Sequence, residues 1–92
     1  MKAAPADVEV TLDPTFGDYR VEPVWAGVDR PRTGGWSVRT RADAERLERA
    51  IRAGVVFADA RVVTDVNGQT YIQAERRVMG KYFDADLRAL GF

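Results

Sequence analysis

Residues 60–75, ARVVTDVNGQTYIQAE, leave this chain fewer options than any other stretch. Apolar and polar side chains alternate on both sides of Asp65-Val66-Asn67-Gly68, the period of a half-buried strand. Asp at the first position and Gly at the fourth suit a type I turn. Gly68 then takes left-handed angles and closes a three-residue loop. That loop sets Asp65 opposite Gln69, Thr64 opposite Thr70, Val63 opposite Tyr71 and Val62 opposite Ile72. One face carries Ala60, Val62, Ile72 and Ala74; the other carries Arg61, Val63, Tyr71 and Gln73. A tighter Asn67-Gly68 loop would scatter the apolar groups over both faces, so burial favours the longer one.

The same stretch has the outline of a cation loop, with Asp and Asn beside a glycine. Calcium loops need glycine at the sixth position and a bidentate glutamate at the twelfth. Counting from Asp65, glycine arrives fourth and Arg76 stands twelfth, a guanidinium where a carboxylate is required. The segment reads as a turn, and no metal site is expected. Cysteine and histidine are absent throughout, which removes disulfides, the usual zinc, copper and haem ligands, and the cysteine and serine–histidine nucleophiles. No cofactor is implied.

Upstream, DVEVTLD alternates with Val8, Val10 and Leu12 on one face and stops at Pro14 and Gly17. Residues 1–6 read as a loose end. YRVEPVWAGV, residues 19–28, is a second strand; Pro23 has no N–H, so an edge position or a bend is expected there. Residues 36–39 return as a short strand, making a hairpin whose tip holds Arg30 and Arg32. Thr40 followed by Asp43 caps a helix over 41–53, with Ala44, Leu47, Ala50 and Ile51 on one face and Gly54 as its stop. Glu45–Arg49 and Glu48–Arg52 are spaced to pair along it. Asp84 is placed to cap a short helix through Leu90, with Gly91 and Phe92 closing it against Leu87.

With 92 residues the chain supports one domain, 1–92. The pattern predicts an α+β fold in the order β-β-β-α-β-β-α: a small antiparallel sheet, one main helix across a face and a short C-terminal helix. The expected core is Val10, Val21, Leu47, Ile51, Phe57, Val62, Ile72 and Leu87. No apolar run approaches the ~20 residues of a membrane helix, and the N-terminus has no signal-peptide core. A cytoplasmic, membrane-free setting is expected.

Charge narrows the function. The net charge is zero, yet residues 1–29 hold two basic against six acidic side chains, and residues 30–58 hold seven against three. The basic middle either pairs with the acidic N-terminal third or meets phosphates. Should it grip nucleic acid, Arg30, Arg32, Arg46 and Arg49 would take the backbone and Trp36 would stack a base. Tyrosine amid arginine and glutamine is a contact-surface composition, so Arg61, Val63, Tyr71 and Gln73 are candidate partner-binding residues. Catalysis finds little material: Ser37 is the only serine and has no evident base, and Asp84 and Asp86 suit a helix start. The expectation is a non-enzymatic binding module for a protein partner or a second copy, with nucleic-acid binding as the alternative.

Residues 53–92, with AGVVF, TDVNGQTY, VMG and DADLRALGF, resemble the C-terminal part of small actinobacterial and actinophage proteins without assigned function. The resemblance implies a bacterial or phage setting and an accessory role. It brings no catalytic or binding residues to this chain.

Overall fold

A computed structural model describes residues 5–57, 59–78 and 80–92. The elements run β1 (Asp7–Leu12), β2 (Tyr19–Val24), β3 (Trp36–Val38), α1 (Arg41–Arg52), β4 (Arg61–Thr64), β5 (Thr70–Gln73), a 3-10 turn (Gly80–Tyr82) and α2 (Phe83–Ala89). This is the expected α+β order. The strands divide between two antiparallel sheets, β1-β2-β3 and β4-β5, rather than forming one. Residues 25–33 join the two: Val24 bridges Arg32 and Arg30 bridges Tyr71. The predicted hairpin tip is therefore a connector between sheets.

Helix α1 starts where a hydroxyl replaces a missing partner. Thr40 Oγ1 accepts from Asp43 N–H at 3.1 Å, a contact worth about 1 kcal/mol in comparable helices. Both helices end alike. Gly54 and Gly91 take left-handed φ of 77° and 88°. Val55 N–H then donates to Ala50 C=O and Phe92 N–H to Leu87 C=O, the six-to-one bond of a Schellman closure. The cap expected at Asp84 is corrected: Tyr82 holds that position without a side-chain bond, and Asp84 lies inside the first turn. The Glu45–Arg49 pair is also corrected, because Glu45 bonds Arg41 at 3.4 Å instead; Glu48–Arg52 forms at 2.9 Å.

The apolar stripe of α1, Ala44, Leu47, Ala50 and Ile51, is fully buried. It packs in one core with Val8, Val21 and Val38 from the first sheet and Leu87 from α2. Trp25 meets Phe57 edge to face at 5.6 Å, and Trp36 meets the same ring at 5.3 Å. Six of the eight expected core residues, Val21, Leu47, Ile51, Phe57, Ile72 and Leu87, are buried. The other two are corrected. Val10 and Val62 remain 38% and 56% exposed, because each sits on an edge strand that extends past the apolar cover.

Pro23 stands in the middle strand of three, not at a sheet edge. Asp13 N–H donates to Asp18 C=O at 2.8 Å. Alternation from that bond makes Asp7, Glu9 and Thr11 the residues of β1 that bond β2, and leaves Val8–Pro23 a non-bonded pair. The nitrogen of Pro23 thus points to the side of β3, whose pairing reaches only Val21. Past the proline, pairing on that flank resumes at the Val24–Arg32 bridge, where Trp25 N–H donates to Pro31 C=O at 2.8 Å. At the N-terminus, Ala6 N–H donates to Val24 C=O, so that end of the chain is tied from residue 6 onward; residues 1–4 lie outside the described residues.

Candidate functional site

Unpaired strand edges are the chemically available feature of this surface, and the ladder alternation tells which backbone groups they offer. In β1, Val8, Val10 and Leu12 direct N–H and C=O away from β2. At Val8 that edge is closed. Its N–H donates to Asp7 Oδ1 at 2.8 Å, and its carbonyl takes Arg52 Nη2 at 3.5 Å. The Val8 N–H, followed by the Arg52 guanidinium, holds the Asp7 carboxyl below the usual aspartate range. At Val10 and Leu12 the outward groups meet no partner among the described residues. Their side chains are wet as well: Leu12 is 55% exposed, and Phe16 in the following turn is 77% exposed. Asp13 and Asp18 flank Phe16; Asp13 Oδ1 accepts from Thr15 N–H, and neither carboxylate has an ion-pair partner among the described residues.

The opposite edge of that sheet offers less. Trp36 and Val38 bond β2, so only Ser37 faces outward in β3. Upstream, Arg76 donates to the carbonyls of Thr33 at 2.8 Å and Gly35 at 3.4 Å.

The second sheet repeats the contrast. The hairpin has the expected register, Arg61–Gln73, Val62–Ile72, Val63–Tyr71 and Thr64–Thr70. Asp65 makes its turn: Oδ1 accepts from Asn67 N–H at 2.8 Å and Gln69 N–H at 3.0 Å, and its carbonyl accepts from Gly68 N–H at 3.1 Å. On β5 the outward edge is latched. Arg30 N–H donates to Thr70 C=O, while Asp29 Oδ2 accepts from Thr70 N–H and Oγ1, each at 2.9 Å. Those two bonds, the backbone one first, pull the Asp29 carboxyl below its ordinary range. On β4 the outward groups of Val62 and Thr64 meet no partner among the described residues.

The predicted contact residues come together as expected on one hairpin face, where Arg61 and Gln73 are exposed and Val63 and Tyr71 half-buried. Its centre is occupied. Arg30 lies over the Tyr71 ring at 4.6 Å and bonds Asp65 at 3.1 Å. Of the residues named for nucleic acid, four are engaged within the chain. Besides Arg30, Arg32 forks onto Glu9 at 2.7 and 2.8 Å and reaches Glu22 at 3.1 Å. This raises the Arg32 pKa and lowers that of Glu9. Trp36 lies between Phe57 and Arg76 and donates Nε1–H to Val78 C=O at 3.1 Å. Arg46 bonds Asp84 at 2.7 Å and the Phe92 carbonyl at 3.2 Å. Arg49 is exposed, as Arg30 and Arg32 are, but has no ion pair among the described residues.

Comparison with known proteins brings no relative: no family model, no curated protein and no solved structure matches the chain. The geometry alone carries the functional reading. It adds Val10, Leu12 and Phe16 to the candidate surface; alternation places the first two on an inward face, and Phe16 falls in the turn between Pro14 and Gly17. An available signal was Phe16 itself, a large ring set among turn residues.

Proposed function

We propose that this protein is a non-enzymatic binding module that takes an extended segment of a protein partner onto β1. The carrying observation is the coincidence at Val10 and Leu12 of unpaired backbone groups and exposed apolar side chains on one edge strand. Strand addition uses both: main-chain hydrogen bonds supply affinity, and alternate side chains supply selectivity. Asp13 and Asp18 beside Phe16 favour a segment with lysine or arginine next to its apolar positions. Arg32, Arg30, Arg46 and Trp36 are spent on internal contacts, which leaves the nucleic-acid alternative only Arg49 of its five named residues.

Selection from a random displayed-peptide library tests the reading, using wild type against Val10→Pro. The Val10 N–H faces away from β2, so proline there removes an outward donor and spares the internal ladder. Basic, alternately apolar peptides should enrich on wild type only. Their binding should slow hydrogen exchange at Val10 and Leu12 and weaken with added salt. Enrichment that is equal on a folded Val10→Pro protein would overturn the proposal.

A further inference from the structure

The second open edge, β4, differs from β1 in the charges beside it, and that difference selects an occupant. On β1 every acid from Asp7 to Asp13 lies along the strand with no base between them. Pairing β1 with β1 of a second copy about Val10 sets Asp7 against Asp13 twice; pairing about Thr11 sets Glu9 against Asp13 twice. Like charges directly opposite are destabilising. Pairing β1 with β4 through Leu12–Val62 sets Asp13 against Arg61 but Glu9 against Asp65.

Strand β4 is followed by Asp65 and opens with Arg61, so it is complementary to itself when reversed. We infer that two copies of this chain associate through β4, antiparallel across a two-fold axis at Val63. The outward groups of Val62 would bond those of Thr64 on the second copy, and the reverse, giving two bonded rungs. Arg61 of each copy would stand opposite Asp65 of the other. Among the described residues Arg61 meets only Gln73 Oε1, at 3.4 Å. Asp65 already bonds Arg30 through Oδ2, so the incoming guanidinium shares a carboxylate that is in place. Val62, 56% exposed, would be covered beside Thr64 of the second copy. A two-fold contact closes on itself and yields a dimer without further growth, the commonest symmetry of homo-oligomers. Only a few residues of each edge take part, so the dimer is weak and concentration-dependent.

The inference concerns a different edge from the partner-binding reading, and each can fail alone. Sedimentation from micromolar to millimolar concentration should show the mass doubling and then levelling. Arg61→Asp should weaken association roughly tenfold, since two attractive pairs become repulsive. Val62→Pro should abolish it, while Val10→Pro leaves it unchanged. Because the chain has no cysteine, Val63→Cys provides a test free of the folding risk of proline. The axis brings the two residue-63 Cα atoms to about 4.5 Å as a non-bonded pair, within disulfide reach. Oxidised Val63→Cys should run as a dimer on a non-reducing gel far sooner than Val66→Cys, whose side chain is more exposed. A wild-type mass constant over the whole range, equal cross-linking at both positions, or association lost with Val10→Pro would each overturn the β4 dimer.

Discussion

The two hairpins are built on the same alternation but are held in different ways. The β1–β2 hairpin is covered by α1 and extended by β3, with Val8, Val21 and Pro23 sunk into a shared core. The β4–β5 hairpin buries one strand side chain, Ile72, and is fastened at its edge by polar contacts to Asp29 and Arg30. Apolar burial is nondirectional and tolerant of salt and acid; a polar latch is exact in geometry and sensitive to both. The first sheet should therefore behave as part of the core, and the second as an attached unit that opens at lower cost.

Removing the anchor breaks this comparison most severely. Ile72→Ala should cost about 2–5 kcal/mol, read from the urea midpoint, and hydrogen exchange should quicken in β4 and β5 before β1 and β2. Uniform quickening would show both hairpins to be one unit. Arg30→Ala, which strips Tyr71 of its cation and Asp65 of its partner, should cost about 0.5–1 kcal/mol in the same titration. Acid should loosen the latch selectively. The folded Asp29 pKa lies below its unfolded value, so its contribution is present above the ordinary aspartate range and fades as pH falls through the folded pKa. Asp29→Asn should lessen the loss of hairpin protection on acidification, measured by exchange at Thr70 and Tyr71. Asp7 and Glu9 are shifted the same way and act on the first sheet. Smallest of all, Val66→Ser at the fully exposed hairpin tip should change the melting free energy by less than ~0.5 kcal/mol.

How much of this is legible in the sequence follows the range of the contacts involved. The β4–β5 register was readable because Asp65, Asn67 and Gly68 specify the loop locally, and a loop fixes register. The α1 boundaries were readable for the same reason, with Thr40 at one end and Gly54 at the other. Val10, Leu12 and Val62 misled because alternation says which face a side chain occupies and not how far the cover extends. The individual arginine partners are not legible because most are distant: Arg32 finds Glu9, Arg46 finds Asp84 and Arg52 finds Asp7 only after folding. The local Glu48–Arg52 pair and the pairing of the basic middle with the acidic N-terminal third are as expected. Charge segregation along the chain hinted at such pairing without saying which residues meet.

Proline at position 23 has an effect beyond its own strand. It presents a nitrogen without hydrogen on the flank of β3, so the regular ladder there stops at Val21 and pairing resumes past the proline only as the Val24–Arg32 bridge. A longer β3 cannot carry the regular ladder across residue 23, whereas the β1 flank of the same sheet holds no proline. Within the three-stranded sheet, the β1 flank is thus the side left open to an added strand.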